Sequence, residues 1–200
     1  MDRTLFAWAR AVKARGRRDG RALPPLWLFT DPQRLPDART AVAALPRGLC
    51  GVVLRPGATE PTPGAWRDLA RLCRERRLAL VVAGDPRLAA TLGAGLHLRG
   101  GRRAGPARLR RGLLTSSAHG RAELVRARRA GADAAFLSPV FPTASHPGAA
   151  SLGPVRWSAL ARRACLPVMA LGGVAGRSIR ALPRHAAGAG AIGALDGLRR

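Results

Sequence analysis

Residues 138–154, SPVFPTASHPGAASLGP, gather hydroxyls, a histidine, glycines and prolines with no long apolar face. A stretch of this kind is too irregular to build a core. It can present Thr143, Ser145 and backbone N–H groups to something anionic, or it can be an ordinary turn-rich connection. A second group of the same character is Leu171-Gly172-Gly173-Val174, followed at a distance by Ala191-Ile192-Gly193. Glycines let amides approach a phosphate closely, and a helix N-terminus beyond them adds positive potential.

The histidines differ in setting. His119, in Ser116-Ser117-Ala118-His119, can move protons near neutral pH or serve as a capping or structural residue. His97, in Gly95-Leu96-His97-Leu98, reads as a satisfied interior histidine, with a ligand role as the alternative. His146 can be an acid, a ligand contact or merely exposed, and His185 reads as surface. No metal-ligand spacing stands out among the few acids and histidines.

These residues need elements to hold them. Leu5, Trp8, Ala9 and Val12 fall on one face of a basic helix over residues 4–18. That helix packs onto the end of the domain C-terminal to it or lies on a membrane surface. Short apolar runs at 26–30, 51–55, 78–83, 95–98, 113–117, 134–137, 168–171 and 190–194 read as eight strands. Helices are expected at 34–46, 66–77, 86–92, 121–130, 155–164 and 178–185. Eight buried-looking strands alternating with helices predict parallel pairing in a compact α/β (β/α)₈ TIM barrel. The expected organisation is an N-terminal basic helix over 1–20 and a barrel over 21–200. Only six residues follow Ala194, too few for a full closing helix. Asp31, Arg55, Asp85, Arg99, His119, Thr143, Gly172 and Gly173 then all follow strand ends, where such barrels place reactive groups.

Composition narrows the function classes. The chain has 200 residues and a net charge of +24, and 34 of its 35 basic residues are arginine, Lys13 being the exception. A basic surface can attract nucleic acid or anionic membrane. The arginines are dispersed, tyrosine is absent, and no basic–aromatic stacking platform occurs, so no specific nucleic-acid partner is expected. Cys50, Cys73 and Cys165 are odd in number and form no CxxC pair, which fits a reduced cytoplasmic setting. No apolar run reaches transmembrane length and no secretory signal is expected.

Residues 25–194 resemble the thiamine phosphate synthase and thiazole tautomerase family. The resemblance lies in Gly131-Ala132-Asp133 leading into SPVFPTASHPGAASLGP, then LPVMALGGV, with GLHL and SSAH agreeing in order and spacing. It implies a TIM barrel and a synthase that joins hydroxymethylpyrimidine diphosphate to a thiazole phosphate, with Mg²⁺ on the diphosphate. It implies that Thr143, Ser145, Gly172, Gly173, Ile192 and Gly193 hold the thiazole phosphate, that Ser117 lies near the pyrimidine or diphosphate, and that Arg55, Ser117 and His119 serve catalysis. Asp85 would be the remaining metal ligand.

The chain departs from the family pattern on one side. The family's Gln-x-Arg-x-Lys run reads Val53-Leu54-Arg55-Pro56-Gly57 here. Its Asn-Asp reads Gly84-Asp85, and its second metal-binding aspartate is replaced by Arg99-Gly100-Gly101-Arg102-Arg103. Arginine repels Mg²⁺ but can bind phosphate bidentately, so Arg55, Arg99 and Arg102 are expected on the diphosphate side. The resemblance implies three functions: synthase-like coupling, weakened or intact; tautomerase-like isomerisation; or binding of a thiazole phosphate without turnover. The implied partners are small phosphorylated thiazole and pyrimidine substrates, with a homo-oligomer as an open alternative.

Overall fold

The structure, a computed structural model, describes residues 2–16, 23–57, 61–102, 112–143, 148 and 150–195. Ser145, His146 and Arg103 lie outside these residues, as does the end of the expected N-terminal helix.

Eight parallel strands close into a barrel in sequence order. They are β1 (Leu26–Phe29), β2 (Cys50–Leu54), β3 (Ala79–Ala83), β4 (Gly95–Leu98), β5 (Leu114–Ala118), β6 (Ala134–Leu137), β7 (Val168–Ala170) and β8 (Gly188–Ala191). β8 pairs with β1 through Leu26↔Ala189, Trp27↔Gly190 and Leu28↔Ala191, so no edge is left open. Around them run α1 (Arg3–Gly16), α2 (Ala38–Ala44), α3 (Ala65–Glu75), α4 (Pro86–Leu92), α5 (Arg121–Arg129), α6 (Gly153–Arg162) and α7 (Gly176–Ile179).

The two-residue period of a strand explains why these runs are apolar throughout. Trp27, Phe29, Val53, Val81, Phe136 and Met169 turn into the barrel and form one cluster. Leu26, Leu28, Val52, Leu54, Leu96 and Leu98 turn outward under the helices and form the other. His97 joins the inner layer as expected. Its Nδ1 lies 2.9 Å from Thr115 Oγ1, and its ring packs against Phe29 and Phe136.

α1 buries Leu5, Phe6, Ala9 and Val12, with Trp8 partly buried against the same core. It packs beside α7, and Lys13 and Arg15 donate to the carbonyls of Gly48 and Arg184. α7 is shorter than the expected 178–185 helix. Arg180 keeps right-handed helical φ and ψ, but the Ala181 and Leu182 amides close three-residue turns onto the Ser178 and Ile179 carbonyls, ahead of Pro183, which has no amide hydrogen to extend a helix. A single 3₁₀ turn, Gly193–Leu195, follows β8. No helix among the described residues is long and apolar enough to cross a membrane.

Candidate active site at the barrel mouth

The loops after β6, β7 and β8 meet at the C-terminal mouth. The Val140 and Phe141 amides donate to the Leu171 and Gly172 carbonyls at 2.9 and 3.1 Å, zipping the β6 and β7 loops together. Gly172 and Gly173 both have positive φ, +89° and +66°. A Cβ on Gly172 would stand 2.8 Å from Pro139 Cα, and one on Gly173 would stand 2.4 Å from the Pro142 carbonyl oxygen. The glycine pair is therefore demanded by loop-against-loop packing as well as by backbone conformation. Ser178 completes the turn by donating to the Gly173 carbonyl and accepting from the Ala175 amide.

A cavity of about 340 Å³ opens over this seam. Phe29 and Leu171 provide an apolar floor, and Gly190 leaves room for the Phe29 ring, whose atoms would lie 2.6 Å from a Cβ at that position. Thr143, Gly172, Gly173, Ile192 and Gly193 are among the cavity's lining residues, as are His119, Ser138, Arg34 and Arg55. Among the described residues, no backbone carbonyl takes the amides of Gly172, Gly173, Ile192 or Gly193. A wall of such amides attracts anions through their partial positive charge.

His119 Nδ1 lies 3.1 Å from the Ser138 carbonyl oxygen and 3.3 Å from its hydroxyl. A carbonyl only accepts, so Nδ1 carries a proton, and in the neutral ring the lone pair is then on Nε2. The His119 amide donates to Glu123, which reaches back from the first turn of α5. Asp31 organises the opposite wall. Its Oδ1 accepts from the Gln33 and Arg34 amides, and its Oδ2 pairs with Arg55. Arg55 is fixed further by its amide, which donates to Thr30 Oγ1 at 2.8 Å.

The remaining expected residues lie elsewhere. Arg99, Arg102 and Asp85 line a second cavity of about 420 Å³, above β3 and β4. Ser117 lines neither cavity. Its hydroxyl accepts from the Gly100 amide at 3.0 Å and faces the Leu98 carbonyl at 3.5 Å, so it shapes the β4 loop. Asp85 is the N-cap of α4, its Oδ1 accepting from the Arg87 and Leu88 amides at 3.0 and 2.9 Å. Among the described residues no group of three or more His, Cys, Asp or Glu side chains could hold a metal. One carboxylate already engaged as a cap, with two guanidiniums on the same cavity, does not fit Mg²⁺, which takes oxygen ligands.

Two polar lining residues were not among the expected site residues, Arg34 and Ser138. Each stands just after a strand, β1 and β6, so the same strand-end rule could have found them.

The family model for thiamine monophosphate synthase matches residues 26–195. Among solved structures, the chain is similar to thiamine phosphate pyrophosphorylase from Pyrococcus furiosus, at 22% identity and TM-score 0.72 over 88% of this chain and 89% of that one. A thiamine phosphate pyrophosphorylase from Bacteroides thetaiotaomicron gives 19% identity and TM-score 0.56 over 86% and 83%. A structure titled native KDPGal gives 18% and 0.58 over 88% and 84%. These likenesses speak to the fold. The search of curated proteins gave no match. The family model covers most of the chain, including every strand that bounds the mouth, and the chain belongs to the thiamine monophosphate synthase family.

Proposed function

We propose that the chain acts in thiamine biosynthesis, binding a thiazole phosphate in the β6–β8 half of the mouth and coupling it to a pyrimidine diphosphate. One observation carries this reading: Thr143, two arginines and four residues whose amides no backbone carbonyl among the described residues takes line a single apolar-floored cavity. The amides of Gly172, Gly173, Ile192 and Gly193 suit a phosphate, and Phe29 with Leu171 suits a flat ring. Ionising the diphosphate from a methylene carbon builds negative charge on oxygen as the bond breaks. Groups already in position stabilise that charge without reorganising. Arg55, held by Asp31, and Arg34 stand on the wall of the same cavity and supply it. No step is assigned to Mg²⁺, because the residues present do not fit it.

The test is product formation by the purified protein from pyrimidine diphosphate and thiazole phosphate, with and without Mg²⁺. Thiamine phosphate is read by fluorescence after oxidation. Product above the no-enzyme control supports the reading. No product from protein with an intact thermal transition retires it.

A second reading, tautomerase-like isomerisation of the thiazole, draws on His119. With Nδ1 turned to the Ser138 carbonyl, Nε2 is the nitrogen that would move a proton on a phosphate-anchored ring. Isomerisation without the pyrimidine diphosphate, abolished in His119→Phe, distinguishes it from coupling.

A further inference from the structure

Arg99, Gly100, Gly101 and Arg102 form one tight turn above β4. The Arg102 amide donates to the Arg99 carbonyl at 3.1 Å, and the two arginines pair as an antiparallel bridge. Both central glycines have positive φ, +58° and +74°, as the primed turns require. The turn is pinned from below. The Gly101 amide donates to Ser116 Oγ at 2.9 Å, the Gly100 amide to Ser117 Oγ, and Arg126 Nε to the Gly100 carbonyl at 2.9 Å. It also lies flush on α5, for a Cβ on Gly101 would stand 2.6 Å from the Ala127 amide nitrogen.

The two ends of this turn are both arginine, and both side chains line the 420 Å³ cavity above β3 and β4. Arg99 lies over Gly84, its Nε 2.8 Å from where a Cβ there would be. Among the described residues, neither guanidinium forms an ion pair within 4.0 Å of a carboxylate. Asp85 shares the cavity, but its Oδ1 is occupied by two amides, so two cations face one carboxylate. A pinned turn that carries two forked donors has no backbone left to order on meeting an anion, so only the two side chains lose freedom.

We propose that this pinned arginine pair is a metal-independent diphosphate site. Its place in the reaction, as the cradle of the leaving diphosphate, rests on the coupling reading above. Its existence does not. Two guanidiniums can each meet a phosphoryl group bidentately and supply the positive charge that a divalent cation would otherwise bring. Ser116 and Ser117 act here as positioning residues for the turn.

The experiment is calorimetric titration of inorganic diphosphate into the full-length protein, in EDTA and in excess Mg²⁺. Saturable binding in EDTA is expected, with affinity at least tenfold weaker in Arg99→Ser/Arg102→Ser. Both side chains are exposed, so the thermal transition is expected to stay in place. The matched variant Arg128→Ser/Arg129→Ser, two exposed arginines on the far part of α5, controls for the +24 net charge and is expected to bind as the parent does. Binding only with Mg²⁺, no binding at all, or equal losses in the two double variants would overturn the proposal. The two readings fail separately. Diphosphate bound in EDTA without synthesis counts against coupling alone, and synthesis with no diphosphate bound in EDTA counts against this site alone.

Discussion

The two halves of the barrel mouth recognise anions by different means. On the β6–β8 side, no charged side chain among the described residues after β6, β7 or β8 lines the cavity, and the wall is Thr143, glycines and small or apolar residues whose loop backbone brings amides with it. On the β2–β4 side the lining groups with charge are Arg55, Arg99, Arg102 and Asp85. An amide wall is made by the path of the chain, so altering it means altering how two loops pack. A guanidinium wall is made by exposed side chains, which can be exchanged with little effect on the fold.

The largest effect should come from breaking the amide wall. Gly173→Ala places a Cβ 2.4 Å from the Pro142 carbonyl oxygen and 2.7 Å from Phe141 Cβ, at φ +66°. Backbone conformation alone costs about 1–3 kcal/mol, and the clash adds to it. The expected outcome is a melting temperature lower by several degrees and thiazole-phosphate binding more than tenfold weaker. Gly93→Ala is the matched control, since it has nearly the same φ, +61°, nothing lies within 4 Å of its added Cβ, and it lines neither cavity. Equal tolerance of the two substitutions would contradict the account of the wall as a product of loop packing.

The cationic half also acts on the barrel interior. Burial holds the His97 imidazole neutral, pushing its pKa down to about 3, and the nearby charges of Arg55 and Arg99 add to the effect. An unfolded chain takes up this proton near pH 6.5, whereas the folded one does not until about pH 3. Stability contributed by the neutral ring is therefore complete above pH 6.5 and falls as pH drops towards 3, by up to ~1.4 kcal/mol per pH unit. Urea unfolding at pH 7 and pH 5 reads this slope before most carboxylates titrate. His97→Gln should flatten it across that interval. An unchanged slope in the variant would remove His97 as the cause.

The legible parts of this molecule were those governed by short-range rules. Short, continuously apolar runs marked the eight strands, although β8 (Gly188–Ala191) begins two residues before the expected 190–194, and the strand-end rule brought Arg55, His119, Thr143, Gly172 and Gly173 to one cavity. What could not be read were contacts between distant segments. Nothing near Gly172 announces Pro139 as its neighbour, and nothing in the SSAH run shows Ser116 and Ser117 committed to the amides of Gly101 and Gly100. Asp85 is a different case. Asp followed by Pro is itself a helix-start signal, and α4 begins at Pro86 as that signal dictates. Resemblance pointed to a metal ligand at a position where local chemistry pointed to a cap.

Asp85 supplies the smallest and sharpest test of the comparison. As a cap it holds the Arg87 and Leu88 amides, and Asp85→Ala should cost about 1 kcal/mol whether or not Mg²⁺ is present. Asp85→Asn retains an acceptor oxygen and should recover most of that loss. A metal ligand behaves otherwise, because Mg²⁺ bound only to the folded state would raise the melting temperature of the parent and not of either variant. Thermal melts of the three proteins, each with EDTA and with Mg²⁺, separate the two roles. A Mg²⁺-dependent rise in the parent, lost in Asp85→Asn, would mean that the cationic half still holds a metal, and the division of the mouth into an amide wall and an arginine wall would fail at this residue.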